Sequence, residues 1–181
     1  MYHPYYGNYP MYSYGYQPVY WAYPNQVEQG DGNNYIDERI YLKDYGPNPL
    51  VVDIEEATKQ NNNYRTALWT GSKLQVTVMS LNVGEDIGLE MHPQVDQFLC
   101  IEQGQGIVQM GPNKDHLNLR RNVYEDFAIM VPAGTWHNVT NTGNIPLKLY
   151  TVYAPPNHPF GTVHGTKADA LASESDYGHS D

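Results

Sequence analysis

Four side chains in the middle of the chain have the types and spacing of a mononuclear metal site: Glu90, His92, Gln97 and His137. Glu90 and His92 are two residues apart, so on an extended strand both side chains leave the same face. Pro93 then ends regular pairing, because it has no backbone donor. Gln97 opens the next apolar run, where Leu99 and Ile101 share its parity and would line the same interior. His137 follows the turn Pro132-Ala133-Gly134, which can set it on a neighbouring strand facing inward. One carboxylate, two imidazoles and an amide oxygen suit a single divalent ion such as Zn, Fe, Mn or Ni, and the mixture does not select among them. Octahedral coordination would leave two positions for water or a ligand. The bland alternative is a closed hydrogen-bonded cluster without metal. Either way the groups need partners, since a buried polar group left alone costs roughly 1–3 kcal/mol.

Side chains this far apart converge on one ion only if a rigid sheet sets their directions. The sequence supplies such a sheet after Tyr64, in short runs rich in β-branched and aromatic residues separated by turn residues. Strands are predicted near 65–69, 74–83, 88–92, 97–102, 106–110, 117–121, 127–131, 135–140 and 147–153. Their number and spacing predict an all-β, antiparallel sandwich or barrel spanning 50–160. Upstream, Asp53 as N-cap with Glu56 three residues on predicts a short helix ending near 61–63. A polar linker over 27–49 carries a short helix within 35–43. Residues 161–181 form a C-terminal extension whose end, from Ser173, is predicted to fray.

Residues 1–26 contain no Asp, Glu, Lys or Arg and hold about half of the chain's 17 tyrosines, separated by Pro, Gly, Asn and Ser. This composition predicts a disordered or extended tail. The formal net charge of −10 argues against nucleic acid as a partner, because that affinity comes from Lys and Arg displacing counterions. Cys100 is the single cysteine, so no internal disulfide and no multi-thiolate cluster can form. No signal peptide, membrane anchor or spanning segment is read, and a cytoplasmic location is expected. Parity turns Asp96, Phe98 and Cys100 away from the ligand side, and Trp136 and Asn138 away from the side of His137. His158 and His164 lie in PPNHPFGTVH after the last strand, a segment read as a surface loop or a cover over the barrel mouth.

The stretch from Gly84 to Gly104, GEDIGLEMHPQVDQFLCIEQG, resembles the first motif of the cupin superfamily, G-x5-H-x-H-x3,4-E-x6-G. Gly84, His92 and Gly104 fall in register, with Glu90 at the first histidine position and Gln97 at the glutamate position. The second motif, G-x5-P-x-G-x2-H-x3-N, is matched by Pro132, Gly134, His137 and Asn141, with Asp126 where its first glycine belongs. The similarity covers about 51–159 and is nearest to small single-domain bacterial cupins. It implies a double-stranded β-helix, the jelly-roll barrel, with Glu90, His92, Gln97 and His137 as metal ligands. It also implies a small-molecule ligand, chemistry of sugar-phosphate isomerase or dioxygenase type, and a homodimer formed through outer strand faces near Phe98 and Cys100. A reading from another class makes the barrel a docking module in a spore-coat-type layer, with residues 1–26 cross-linked through tyrosine to coat-layer proteins.

Overall fold

The period-two pattern of a strand packed on one face runs through the sheet region. Gln97, Leu99 and Ile101 are buried, whereas Asp96 is exposed and Phe98 and Cys100 are half-buried. A computed structural model describes residues 39–177. In chain order its elements are α1 (Ile54–Gln60), β1 (Arg65–Thr70), β2 (Gln75–Leu81), β3 (Asp96–Gln103), β4 (Gln105–Gly111), β5 (Leu119–Tyr124), β6 (Ala128–Val131), β7 (Trp136–Asn141), β8 (Leu147–Ala154), β9 (Val163–His164) and α2 (Lys167–Tyr177). The strands form two antiparallel sheets, one of six in the order β6-β3-β8-β2-β1-β9 and one of three in the order β5-β4-β7. This is the expected all-β jelly-roll architecture.

The large sheet's inner face is graded in polarity along the barrel. Gln97, Tyr153 and Gln75 are register neighbours across β3, β8 and β2 and form one row. The next row is Leu99, Thr151 and Thr77, and the one below it Ile101, Leu149 and Met79. Toward that lower end the two sheets close on each other through Met79, Leu81, Ile101, Val108 and Leu149, all buried. Each such side chain contributes about 1.5–3 kcal/mol on burial. A second cluster lies on the outer face, where Leu50, Val52, Ile54 and Ala57 cover Leu68 and Val78. The barrel is thus held shut at one end and lined with polar groups at the other.

α1 starts where the capping pattern places it. Asp53 accepts a 3.0 Å hydrogen bond from the Glu56 N–H, and the helix stops at Asn61. The return half of a capping box is absent, since the Glu56 carboxylate accepts instead from Gln60. Several expectations need correction. Residues 88–92 form no strand, because Gly88 takes a positive φ of 89° and breaks the ladder. Residues 39–43 of the linker are not helical, and the rest of that linker and the tyrosine-rich segment lie outside the described residues. The predicted fraying from Ser173 meets helix α2, which continues to Tyr177. β9 ahead of it pairs with β1, so the extension is part of the fold. No helix among the described residues is long and apolar enough to cross a membrane.

Asp126, which stands at a motif glycine, has φ 68° and donates its N–H to the Ile101 carbonyl at 2.8 Å. The left-handed backbone is imposed by the tight entry into β6, and Asp tolerates it better than most residues. Asp126→Gly is expected to raise stability by up to about 1 kcal/mol, and Asp126→Val to lower it by about 2 kcal/mol. Denaturant unfolding of the two variants checks this. Equal effects would show that the turn does not need the left-handed conformation.

Candidate metal centre

Glu90 and His137 are joined by two main-chain hydrogen bonds. The Glu90 N–H donates to the His137 carbonyl at 3.0 Å, and the His137 N–H donates back at 2.9 Å. A residue pair that exchanges both bonds presents its side chains on the same face. The segment carrying Glu90 is therefore laid along β7, though irregularly: Asp86 bridges Thr140, Glu90 bridges His137, and the Gly134 N–H reaches the His92 carbonyl at 2.8 Å. His92 follows on the same side. Gln97 approaches from the other sheet, where β3 holds it between Val131 and Tyr153.

The ligand-type atoms meet at one point. Glu90 Oε1 lies 3.3 Å from His92 Nε2 and 3.3 Å from His137 Nε2, and the three atoms fall within 4.8 Å of one another. His137 Nε2 is also 2.8 Å from Gln97 Oε1. His137 Nδ1 stands 2.9 Å from the Thr135 carbonyl, which can only accept, so Nδ1 carries the proton. Without a second proton on the ring, Nε2 presents a lone pair toward an amide oxygen and a carboxylate oxygen. Gln97 is turned this way by its amide group, which donates to Thr151 Oγ1 at 3.2 Å.

Three acceptors directed at one another repel unless a proton or a cation lies between them. The 3.3 Å approaches lack hydrogen-bond geometry, and Glu90 Oε1 and His92 Nε2 are buried with no hydrogen-bond partner among the described residues. Burial pushes the Glu90 acid up; protons on the facing His137 and His92 nitrogens, together with the charge of Arg65, outweigh it and hold the carboxyl down to about 2, and a cation at the same point would act in that sense. The donor set fits a divalent ion. Ligand atoms about 2.1 Å from one ion stand about 3.0–3.4 Å apart, close to the separations found here.

All four expected residues come together, and the parity readings for Asp96 and Asn138 agree with their places. Asp96 is exposed and accepts from the Ala133 N–H at 2.9 Å, which braces the turn before His137. Asn138 reaches Asp86 outside the chamber. Three further neighbours border the site, of which only Arg65 had no signal read from the sequence. Tyr153 is 1% exposed and packs edge-on against His92 and His158, with ring centroids 5.9 and 5.0 Å away. His158 is drawn inward because the fully buried Gln75 holds its backbone: Oε1 accepts from the Asn157 and His158 N–H groups, and Nε2 donates to the His158 carbonyl. Burial, with Arg65 adding to it, pushes the His158 imidazole down to about 3, so the ring is neutral near pH 7. Arg65 is 2% exposed, at the start of β1. A charged residue sharing the inward parity of Ala67 is the one signal that could have found it.

Gln75→Leu is expected to release the His158 loop while leaving the Glu90–His137 pair in place. Amide hydrogen exchange at His158 should speed up at least about tenfold, with the Glu90 and His137 amides unchanged. Equal acceleration at all three would mean that Gln75 supports the whole barrel and not the loop.

Comparison with known proteins agrees with the architecture. A cupin domain family model matches residues 77–153. The chain is 66% identical over 175 residues to the protein YrkC of Bacillus subtilis strain 168, covering 94% of each. It is 40% identical over 129 residues to protein L612 of Acanthamoeba polyphaga mimivirus, covering 71% of this chain and 79% of that one. The crystal structure of BH2720 from Bacillus halodurans is similar at 63% identity and a TM-score of 0.71, over 72% of this chain and 98% of that one.

Proposed function

This chain belongs to the cupin superfamily, and from that premise we propose that its barrel binds one divalent cation through Glu90, His92, Gln97 and His137. The ion is presented to a small oxygen-bearing ligand. The observation that supports this reading is the set of acceptors facing one another, fixed by the Thr135 carbonyl on His137 and the Thr151 hydroxyl on Gln97. A bound ion supplies Lewis acidity toward a ligand oxygen. The residues of the chain do the rest. Glu90 contributes the negative charge, His92 and His137 contribute neutral nitrogens, and Gln97 completes the set without a second carboxylate. Burial of His137 and Gln97, at 1% and 3% exposure, keeps water away, while Glu90 and His92 stand nearer the opening.

We place the chemistry in metal-assisted transformation of a small oxygenated molecule, of isomerase or oxygenase type. Glu90 in place of a histidine and Gln97 in place of a glutamate preserve one formal negative charge in the set, so the ion's charge is offset as it would be in the commoner arrangement.

Full-length protein purified without added metal is expected to carry about one equivalent of a divalent ion by elemental analysis. His92→Ala and His137→Ala should fall below about a tenth of that. Gln97→Glu should hold the ion roughly tenfold more tightly against a chelator, because it adds ligand charge. If wild type and both alanine variants contain equally little metal after loading with Zn, Mn, Fe or Ni, the reading is wrong.

A further inference from the structure

We propose that the outer face of the six-stranded sheet is a docking surface for the chain's own tyrosine-rich N-terminal segment, residues 1–26. The proposal goes beyond the metal reading and does not rest on it, since this face is turned away from the metal-type ligands.

The first observation is a row of apolar side chains across the sheet. Met130, Phe98, Val152, Val76 and Trp69 are register neighbours on β6, β3, β8, β2 and β1. Phe98, Val152 and Val76 alternate with the inward-facing Gln97, Tyr153 and Gln75, so the row stands on the outer face. Met130 is 63% exposed and the other four are half-buried. With strands about 4.8 Å apart, the row crosses about 19 Å of sheet. Two hollows, of about 430 and 370 Å³, lie along it and share Val152 as a wall. An apolar surface continuous over this span marks an interaction site, unlike apolar residues scattered singly.

The second observation is where the chain outside the described residues arrives. Described residues begin at Arg39, and those that follow already pack on this face, where Ile40, Leu42 and Tyr45 join the cluster around Leu68 and Val78. Leu50, Val52, Ile54 and Leu68 belong to that cluster and also line the larger hollow. The Ile40 N–H donates to Gln60 Oε1 at 3.0 Å, which fixes the point of entry. Residues 1–38 are therefore tethered to the cluster that borders the hollow. At about 3.3 Å each, roughly six extended residues cross the row, so length is no obstacle. Tethering sets an effective concentration on the order of mM, and a weak intrinsic affinity then suffices.

The third observation is chemical match. Residues 1–26 contain no Asp, Glu, Lys or Arg, and their tyrosines are interspersed with Pro4, Pro10, Pro18 and Pro24. Of the residues lining the two hollows, only Asp96 is charged, and an uncharged occupant loses no charge hydration of its own on entering. Tyrosine and proline are the residues that fill aromatic-walled grooves, because the rings bury a large area and proline restricts the backbone beforehand. Trp69, Tyr150 and Phe98 supply such walls. Trp69 is held by its Nε1–H, which donates to the Asn48 carbonyl at 2.6 Å, and the Phe98 and Tyr150 rings lie 6.0 Å apart. A second copy of the chain would bring a further net charge of −10 toward this face, whereas residues 1–26 bring none.

The test uses the full chain with Tyr6, Tyr12 or Tyr20 replaced in turn by the photoreactive p-benzoylphenylalanine. Unlabelled and 15N-labelled protein are mixed in equal amounts and irradiated, and the cross-links are mapped by mass spectrometry. Most cross-links should join residues of a single copy and fall on the residues that line the two hollows. Val152→Glu sets a carboxylate in the wall of both hollows and should lower the yield there at least about fivefold. If that variant does not fold, Met130→Glu, at an exposed position, replaces it with the same expected loss from the hollow it lines. Cross-links spread over the barrel without preference, or none, overturn the proposal. Cross-links that join labelled to unlabelled protein overturn it in favour of a second copy on this face. An unchanged yield in the glutamate variant also overturns it.

Discussion

Two backbone hydrogen bonds between Glu90 and His137 tie an irregular segment to the edge of the three-stranded sheet, and the geometry of the site depends on them. They make neighbours of two side chains 47 positions apart. The segment needs this anchor because it has no continuous ladder of its own. Other ties reinforce it. Tyr64 holds the Ile87 carbonyl, and Asp86 forms an ion pair with Lys167 at the start of α2. Burial pushes the Asp86 acid up, but Lys167, Asn138 and the Gly88 N–H outweigh it and hold it below the usual carboxylate range. The start of the C-terminal helix is thereby tied to the segment that leads to Glu90.

The graded inner face explains how a barrel of this size tolerates so polar a chamber. Its lower rows are aliphatic and close-packed, and they supply the burial on which stability depends. The upper rows put Gln97, Tyr153, Gln75, Thr151 and Thr77 where aliphatic residues would pack as well or better. Each buried polar group must be satisfied or its desolvation counts against folding. Gln75 meets this demand by clamping the loop that delivers His158, and Gln97 by bridging Thr151 and His137. Among the described residues, buried unsatisfied atoms at Thr77, Glu90, His92 and His158 belong to this polar end, whereas Asn138 Oδ1 lies outside it.

The charges in that end act on one another across the barrel. Arg65 helps to keep Glu90 ionised and adds to the burial that keeps His158 neutral. Both effects come from one buried guanidinium at the start of β1. Shielded from bulk water, these couplings are only weakly screened, so a change in charge at one group is felt by the others.

Much of the site was legible in the residues themselves. Spacing of two put Glu90 and His92 on one side, parity sent Asp96 outward, and turn residues before His137 marked its entry to a strand. Motif position singled out Asp126, which takes the left-handed backbone a glycine would favour. These are local properties, set by the pleat and by turn chemistry within a few residues. What needed the tertiary structure was everything carried by pairing between distant segments. Glu90 and His92 lie side by side through a bridge to β7 and not through a strand of their own, because Gly88 interrupts the ladder. Arg65 and His158 enter the chamber only because β1 borders it and because Gln75, on another strand, draws the loop inward. Register between strands and the reach of one buried side chain depend on how the whole sheet closes, and no short window of sequence contains that information.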